Sequence, residues 1–282
     1  VPVVVVTDSS SCLDPELVGR YGIRVVPLHI IAAGRDLREG VDELPEDLST
    51  VTTSGPSPAE LTDAYTEALE ASGGDGVVAV HLSRVLSGTW DAARHAAESL
   101  GDRIRLVDSR NTAMGSGFAV LEAVRAARAG ADLVRVHDRA VEVAASARTL
   151  LVVDRLDHLR RGGRIGTATA LLGTALAMKP VLHISDGKLV LREKTRTMTK
   201  AMAKLVDGAA TDVGDEPLVA VHHRDAPDRA RSLADQLAQR LPDGTEIIVS
   251  ELDAVLGAHV GPGAVGVVVA SAATGASGTS ED

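Results

Sequence analysis

A chain of 282 residues with 45% apolar side chains has enough material for two ordinary domains and a sizeable core. Its formal charge of −10, with one Trp, two Tyr and one Phe, argues against a nucleic-acid surface, which needs a basic face and stacking rings. A single cysteine, Cys12, excludes an internal disulfide framework. No apolar run approaches the roughly 18 residues of a membrane span, and no basic stretch followed by an apolar one marks a secretory leader, so a cytoplasmic protein is expected.

In chain order, the β-branched run Val3–Val6 predicts a buried strand, closed by the hydroxyl and carboxylate residues of "TDSSSCLDPEL". "IRVVPLHIIAAG" predicts a second strand ending at Gly34. "SPAELTDAYTEALEAS" has helical spacing, with Ser57 as N-cap and Pro58 in the first turn. Strand "GVVAVHL", helix "SGTWDAARHAAESL", strand "RIRLVDS" and helix "MGSGFAVLEAVRAARAG" follow. This alternation predicts βαβ units and a parallel sheet covered on both faces.

From about residue 150 the pattern changes. "KPVLHISDGKLVLREKTRT" predicts a hairpin turning at Asp186-Gly187. "MTKAMAKLVDGAA" and "APDRARSLADQLAQRL" read as helices, and "PLVAVHH", "EIIVSEL" and "AVGVVVAS" as strands. The expected fold is α/β in two domains. Residues 1–150 form a three-layer α/β/α unit on a parallel sheet, 151–271 a two-layer unit on a mixed sheet, and 272–282 a disordered tail.

Familiar catalytic motifs are missing. The one Gly-Lys pair, Gly187-Lys188, precedes Leu189 and makes no phosphate loop. "GPGAVG" at 261–266 fits the dinucleotide spacing, but a strand-like run follows it and no ribose-binding carboxylate stands about 20 residues on. No serine sits in a G-x-S-x-G elbow. His222 and His223 are neighbours on a strand, point to opposite faces and cannot chelate one metal together. No metal or cofactor is expected.

Three short polar clusters remain: Thr53 and Ser54 before a Gly-Pro turn, Ser87 and Thr89 around Gly88, and His259 among glycines in "GAHVGPGA". Alone, each reads first as turn chemistry, a helix cap (Thr89) or a loop histidine. Together, hydroxyls at predicted helix N-termini plus an imidazole make an anion site. A rival reading takes Ser87 as the nucleophile and His259 as the base of a hydrolase or acyltransferase, but no third residue that would orient the histidine is evident.

Eight blocks in order carry a resemblance: "VVTDSSSCL" at 5–13, "VVPLHI" at 25–30, "TSGPSPAEL" at 53–61, "LSGTWDAAR" at 86–94, "VDSRNTAMGSG" at 107–117, "LRRGGRIG" at 159–166, "KPVLHISDGKL" at 179–189 and "HVGPGAVG" at 259–266. From about residue 3 to 271 the chain resembles the DegV family, the fatty-acid-binding subunit of the bacterial fatty acid kinase system. The resemblance implies a long-chain fatty acid, of palmitate or oleate type, buried between two α/β domains. Its carboxylate would be held by Thr53, Ser87 and His259, supported by Ser54, Gly88 and Ser10. It implies no catalysis by this chain alone, but presentation of the carboxylate to a separate ATP-dependent kinase subunit that makes an acyl-phosphate for phospholipid synthesis. A monomer with transient membrane-surface contact goes with that role.

The basic segment Arg160, Arg161 and Arg164 is a candidate for docking the kinase subunit, or equally a solvated basic loop. The run "TALLGTALAM" at 169–178 is a candidate tunnel wall, or equally ordinary core. Gly55 departs from the glutamine common in the family at that place, which bears on acyl-chain preference.

Overall fold

The computed structural model describes residues 2–165, 178–211, 213–214 and 216–272. Its first sheet is parallel throughout, in the order β2 (Arg24–Val26), β1 (Val4–Asp8), β6 (Val77–His81), β7 (Ile104–Asp108). Its inner strands are buried on both faces, which is why they read as continuous apolar runs rather than alternating ones. One face, carrying Val6 and Ala79, packs on Leu61 and Tyr65 of α2 (Pro58–Ala71) and Ala93 of α3 (Thr89–Glu98). The other, carrying Val5, Val78 and Val80, packs on Phe118 and Val124 of α4 (Met114–Arg128) and Val136 and Val143 of α5 (Leu133–Ser146). The predicted three-layer arrangement is therefore observed.

The second sheet is mixed, in the order β10 (Lys188–Thr195), β9 (Lys179–Ser185), β8 (Arg148–Val152), β13 (Val265–Ser271), β11 (Pro217–His223), β12 (Ile247–Glu251). All its pairs are antiparallel except β11 with β12. The hairpin turns where expected, with Asp186 and Gly187 both at positive φ (50° and 75°), as a two-residue primed turn requires. Valines of β11 and β13 with Leu150 and Val152 of β8 face α7 (Met198–Ala210) and α8 (Pro227–Ala238). Alternate residues turn the other way, toward the first unit, where Ala220, Val268 and Ala270 share one core with α4 and α5.

Several expectations are corrected. The segment "IRVVPLHIIAAG" is two strands, because Pro27 has no N–H for a ladder. Its second half, β3 (His29–Ala32), pairs antiparallel with β4 (Arg35–Arg38) and β5 (Thr52–Ser54) in a small separate sheet. The boundary expected after residue 150 falls inside β8, which is hydrogen-bonded to both β13 and β9. His259 lies on a helix, α9 (Ala254–Val260), not in a loop, and Arg160 and Arg161 end a short helix, α6 (Asp157–Arg161). The expected tunnel wall at 169–178, Met178 apart, and the expected tail from 273 onward lie outside the described residues. Among the described residues, no helix is long and apolar enough to cross a membrane, and no cluster of three or more His, Cys, Asp or Glu is placed to hold a metal ion.

Candidate functional site

The strand ends of the first sheet, the small sheet and the inner face of the second sheet enclose one cavity. It is lined by Leu28, Leu82, Leu151, Ile184, Val255 and Val268 among other apolar residues, with no Phe, Tyr or Trp among the described lining residues. With the open space at its mouth included it holds about 1040 Å³ of non-atom space. The location follows the rule for open α/β sheets, in which ligands sit beyond the carboxyl ends of the strands.

Thr53, Ser54, Ser87 and His259 all line this cavity, together with Arg164. Thr53, paired with Ile30 in the small sheet, places Oγ1 2.8 Å from His259 Nε2, across 206 residues of sequence. Burial first, and the Arg164 guanidinium second, hold the His259 imidazole down to about 4, so it is neutral near pH 7. Arg164 Nε donates to the carbonyl of Leu86 at 2.9 Å, and Nη1 donates to that of Gly162 at 2.6 Å. The first bond brings the guanidinium beside the Ser87 turn. The second ties it to Gly162, which lies against the His259 ring: a Cβ on Gly162 would come within 2.1 Å of Nδ1.

Ser87 is held by its own turn. Its N–H donates to the carbonyl of Ser83 at 3.1 Å, and its Oγ lies 2.9 Å from Thr89 Oγ1. Ser87 Oγ also accepts the Thr89 N–H at 3.3 Å, so Ser87, not Thr89, supplies the hydroxyl at the start of α3. Thr89 Oγ1 stands where a Cβ on Gly55 would be 2.5 Å away. Contacts and the chain itself thus close a circuit: Thr53 to His259, Gly162, Arg164 and Leu86, along the chain to Ser87, across to Thr89 and Gly55, and along the chain back to Thr53. Hydroxyls, imidazole and guanidinium gather on one cavity whose other walls are mainly apolar, with Thr112, Thr149 and His222 also among them.

The other expected residues lie apart from that ring. Gly88 is the exposed residue preceding α3 and does not line the cavity. Ser10 is fully buried and donates to Asp8 Oδ1 at 2.5 Å, in a network that holds the end of β1. Asp8 Oδ2 also accepts from His81 Nδ1 at 2.8 Å and from the Leu82 N–H at 3.1 Å, and His81 Nε2 lies 2.7 Å from the Tyr65 hydroxyl. Arg160 is exposed, and Arg161 donates to the carbonyl of Ser49 and lies 3.1 Å from His158 Nδ1. Arg164 is the site residue the sequence pattern misplaced: its charge reads as surface, but its side chain turns inward.

Among the described residues, the geometry does not pair Ser87 with His259 as nucleophile and base. Ser87 Oγ bonds to Thr89 and His259 Nε2 to Thr53, and among the described residues no carboxylate bonds to His259. A serine nucleophile needs a base on its oxygen and an orienting group on that base. The arrangement is suited to holding an anion: hydrogen-bond donors and one cation at the edge of an apolar cavity.

A family model described as an uncharacterised protein of the DegV family matches residues 2–272. A DegV domain-containing protein of Mycobacterium tuberculosis is 50% identical over 270 residues, covering 95% of this chain and 96% of the relative. A DegV family protein from Thermus thermophilus, whose structure is described as showing fatty acid binding, superimposes with a TM-score of 0.89 at 32% identity, covering 96% of this chain and all of that one. DegV from Bacillus subtilis, described as a fatty acid binding protein, gives a TM-score of 0.83 at 30% identity, covering 95% and 99% of the two chains. With its whole described length matched and half its residues identical to a DegV relative, this chain belongs to the DegV family.

Proposed function

We propose that this protein binds a long-chain fatty acid, its alkyl chain in the apolar cavity and its carboxylate on Thr53, Ser87 and His259 with Arg164 beside them. The observation that carries this reading is the ring of polar groups on one cavity with otherwise mainly apolar walls. Each methylene buried contributes about 0.8 kcal/mol, so a C16 chain gains on the order of 10 kcal/mol from leaving water. A carboxylate leaving water without partners would cancel several kcal/mol of that gain, and the hydroxyls and guanidinium offset this cost. Fatty acid binding by DegV proteins of solved structure at 30% identity or more supports the same class of ligand.

The role that fits such a site is presentation. The chain would hold the acid and offer its carboxylate to a separate ATP-dependent kinase, with Arg160 and Arg161 on the outer surface for docking and Arg164 reaching inward. Organic extraction and mass spectrometry of the purified protein, followed by titration with palmitate and oleate, tests the binding step. A stoichiometric C14–C18 acid or its uptake is expected; neither one would overturn the reading.

A further inference from the structure

Helix α9 is a wall of the cavity, contributing Val255, Leu256, His259 and Val260. Seven residues do not hold a helix by themselves, so its position depends on its packing, Val255 against Leu28 and Ile30, and on what grips its ends. At the C-terminal end the grip is the Thr53–His259 bond. At the N-terminal end Asp253 makes no side-chain cap bond. Instead Glu39, 216 residues away, accepts the Val255 N–H on Oε1 at 2.7 Å. Glu39 Oε2 accepts the Ser9 hydroxyl at 2.5 Å. Glu39 follows β4 and Thr53 lies on β5, so one small sheet holds α9 at both ends.

We propose that Glu39 is the positioning residue for His259: it holds the first turn of α9, and its charge state sets how firmly that wall seats against the head-group site. The link to a head group rests on the fatty-acid reading above; the seating of α9 does not.

Glu39 is 6% exposed. The charged and titratable groups around it are Asp253 ahead of α9, Asp8 at the end of β1 and the buried Cys12 thiol, which hydrogen-bonds Asp253. Arg38, the preceding residue, is exposed and turns to Asp42, and among the described residues no cation pairs with Glu39. Burial is the main cause, with the carboxylates of Asp253 and Asp8 adding to it, that lifts the Glu39 carboxyl to about 7, against the pull of the Ser9 and Val255 bonds. The Asp253 carboxyl is raised by burial as well. The neutral acid keeps both bonds, its carbonyl oxygen taking the Val255 N–H and its O–H serving Ser9. The ionised form faces two carboxylates without a counter-charge. A state in which α9 lifts and Glu39 meets water would return the carboxyl to its ordinary range, so seating is favoured at lower pH and lifting grows as pH rises.

Hydrogen–deuterium exchange of residues 254–260 in the ligand-free protein, corrected for the intrinsic pH effect, reads the lifting directly. For wild type we expect it to rise about tenfold between pH 6 and pH 8, the span over which a carboxyl lifted from its ordinary value to about 7 changes its linkage by that factor. Glu39→Gln, which keeps a carbonyl for Val255 and stays neutral, should rise less over the same range, with only the buried Asp253 left to titrate. Ser9→Ala removes a bond to the ionised form and should move the rise to higher pH. The palmitate Kd should increase more from pH 6 to pH 8 in wild type than in Glu39→Gln. A pH-independent wild-type profile, or the same profile in wild type and Glu39→Gln, overturns the proposal. Failure of wild type to take up palmitate at any pH would instead sink the fatty-acid reading, while the exchange profile would still judge Glu39.

Discussion

Gly162→Ala tests the geometry of the site through a residue that presents no functional group. Gly162 has φ −68° and ψ −11°, so alanine fits its backbone without strain. On conformational entropy alone the change would stabilise the fold by roughly 0.4–1 kcal/mol. The added methyl, however, would lie 2.1 Å from His259 Nδ1 and 2.7 Å from Cε1, and neither separation is tenable. The imidazole must swing away, and its bond to Thr53 goes with it. Overpacking costs about 1–3 kcal/mol and the lost neutral bond about 1 kcal/mol. The net destabilisation is therefore modest, on the order of 1–3 kcal/mol. The ligand should register a loss of similar size: one hydrogen bond to a carboxylate is worth about 1.5–3 kcal/mol, or roughly 10–150-fold in Kd. Urea unfolding and palmitate titration on the same variant measure both quantities. Wild-type affinity in a folded Gly162→Ala protein would show that His259 does not touch the head group, and that the circuit of contacts is structural only.

Two further outcomes follow from the same geometry. Ser87→Ala and Thr53→Val should each weaken palmitate binding by roughly 1.5–3 kcal/mol, and each should lower stability by about 1 kcal/mol for the internal bond it loses; wild-type affinity in both variants would place the carboxylate elsewhere. Asp8→Asn should instead cost stability, about 3 kcal/mol by urea unfolding, because the Asp8 carboxylate only accepts, from Ser10, His81 and Leu82, and an amide nitrogen cannot; an unchanged midpoint would mean the network is not satisfied as described.

Local signals made the frame legible. Strands buried on both faces announce themselves as valine runs, and Ser57 is the N-cap that its place before Pro58 predicts. The misses around the site share a cause: each depends on a partner remote in sequence. "DAVLGAHVGPG" reads as a glycine-rich loop, and it becomes a helix where Glu39 supplies the bond that Asp253 does not. Glu39 lies in the polar stretch "RDLREGVDEL", and nothing there signals a buried carboxylate, because the residues that bury it are Ser9 and Val255. Arg164 shares a basic segment with Arg160 and Arg161, and only the Leu86 carbonyl, 78 residues earlier, turns it inward. Thr53, Ser87 and His259 could be picked out because small hydroxyls before helices and a histidine among glycines are suspicious wherever they stand. Their meeting at one place is a property of the fold, not of any local pattern.

That meeting has an electrostatic consequence. In the ligand-free site His259 is neutral near pH 7, its imidazole held down to about 4 by burial and then by the positive Arg164. A carboxylate arriving between them supplies the negative charge that burial and Arg164 lack, and so favours the imidazolium. The bound protein then holds more protons than the free protein at any pH between about 4 and the bound value. By linkage, affinity rises as pH falls through that window, and binding takes up protons there. Calorimetric titration with palmitate at pH 5.5, in two buffers of different ionisation enthalpy, measures the uptake. The acid's own titration enters equally in wild type and in His259→Gln, so their difference isolates the imidazole. A positive difference is expected. Identical uptake in the two proteins would mean that His259 stays neutral beside the ligand, serving only as a hydrogen-bond partner of Thr53 and leaving Arg164 as the sole positive charge at the carboxylate.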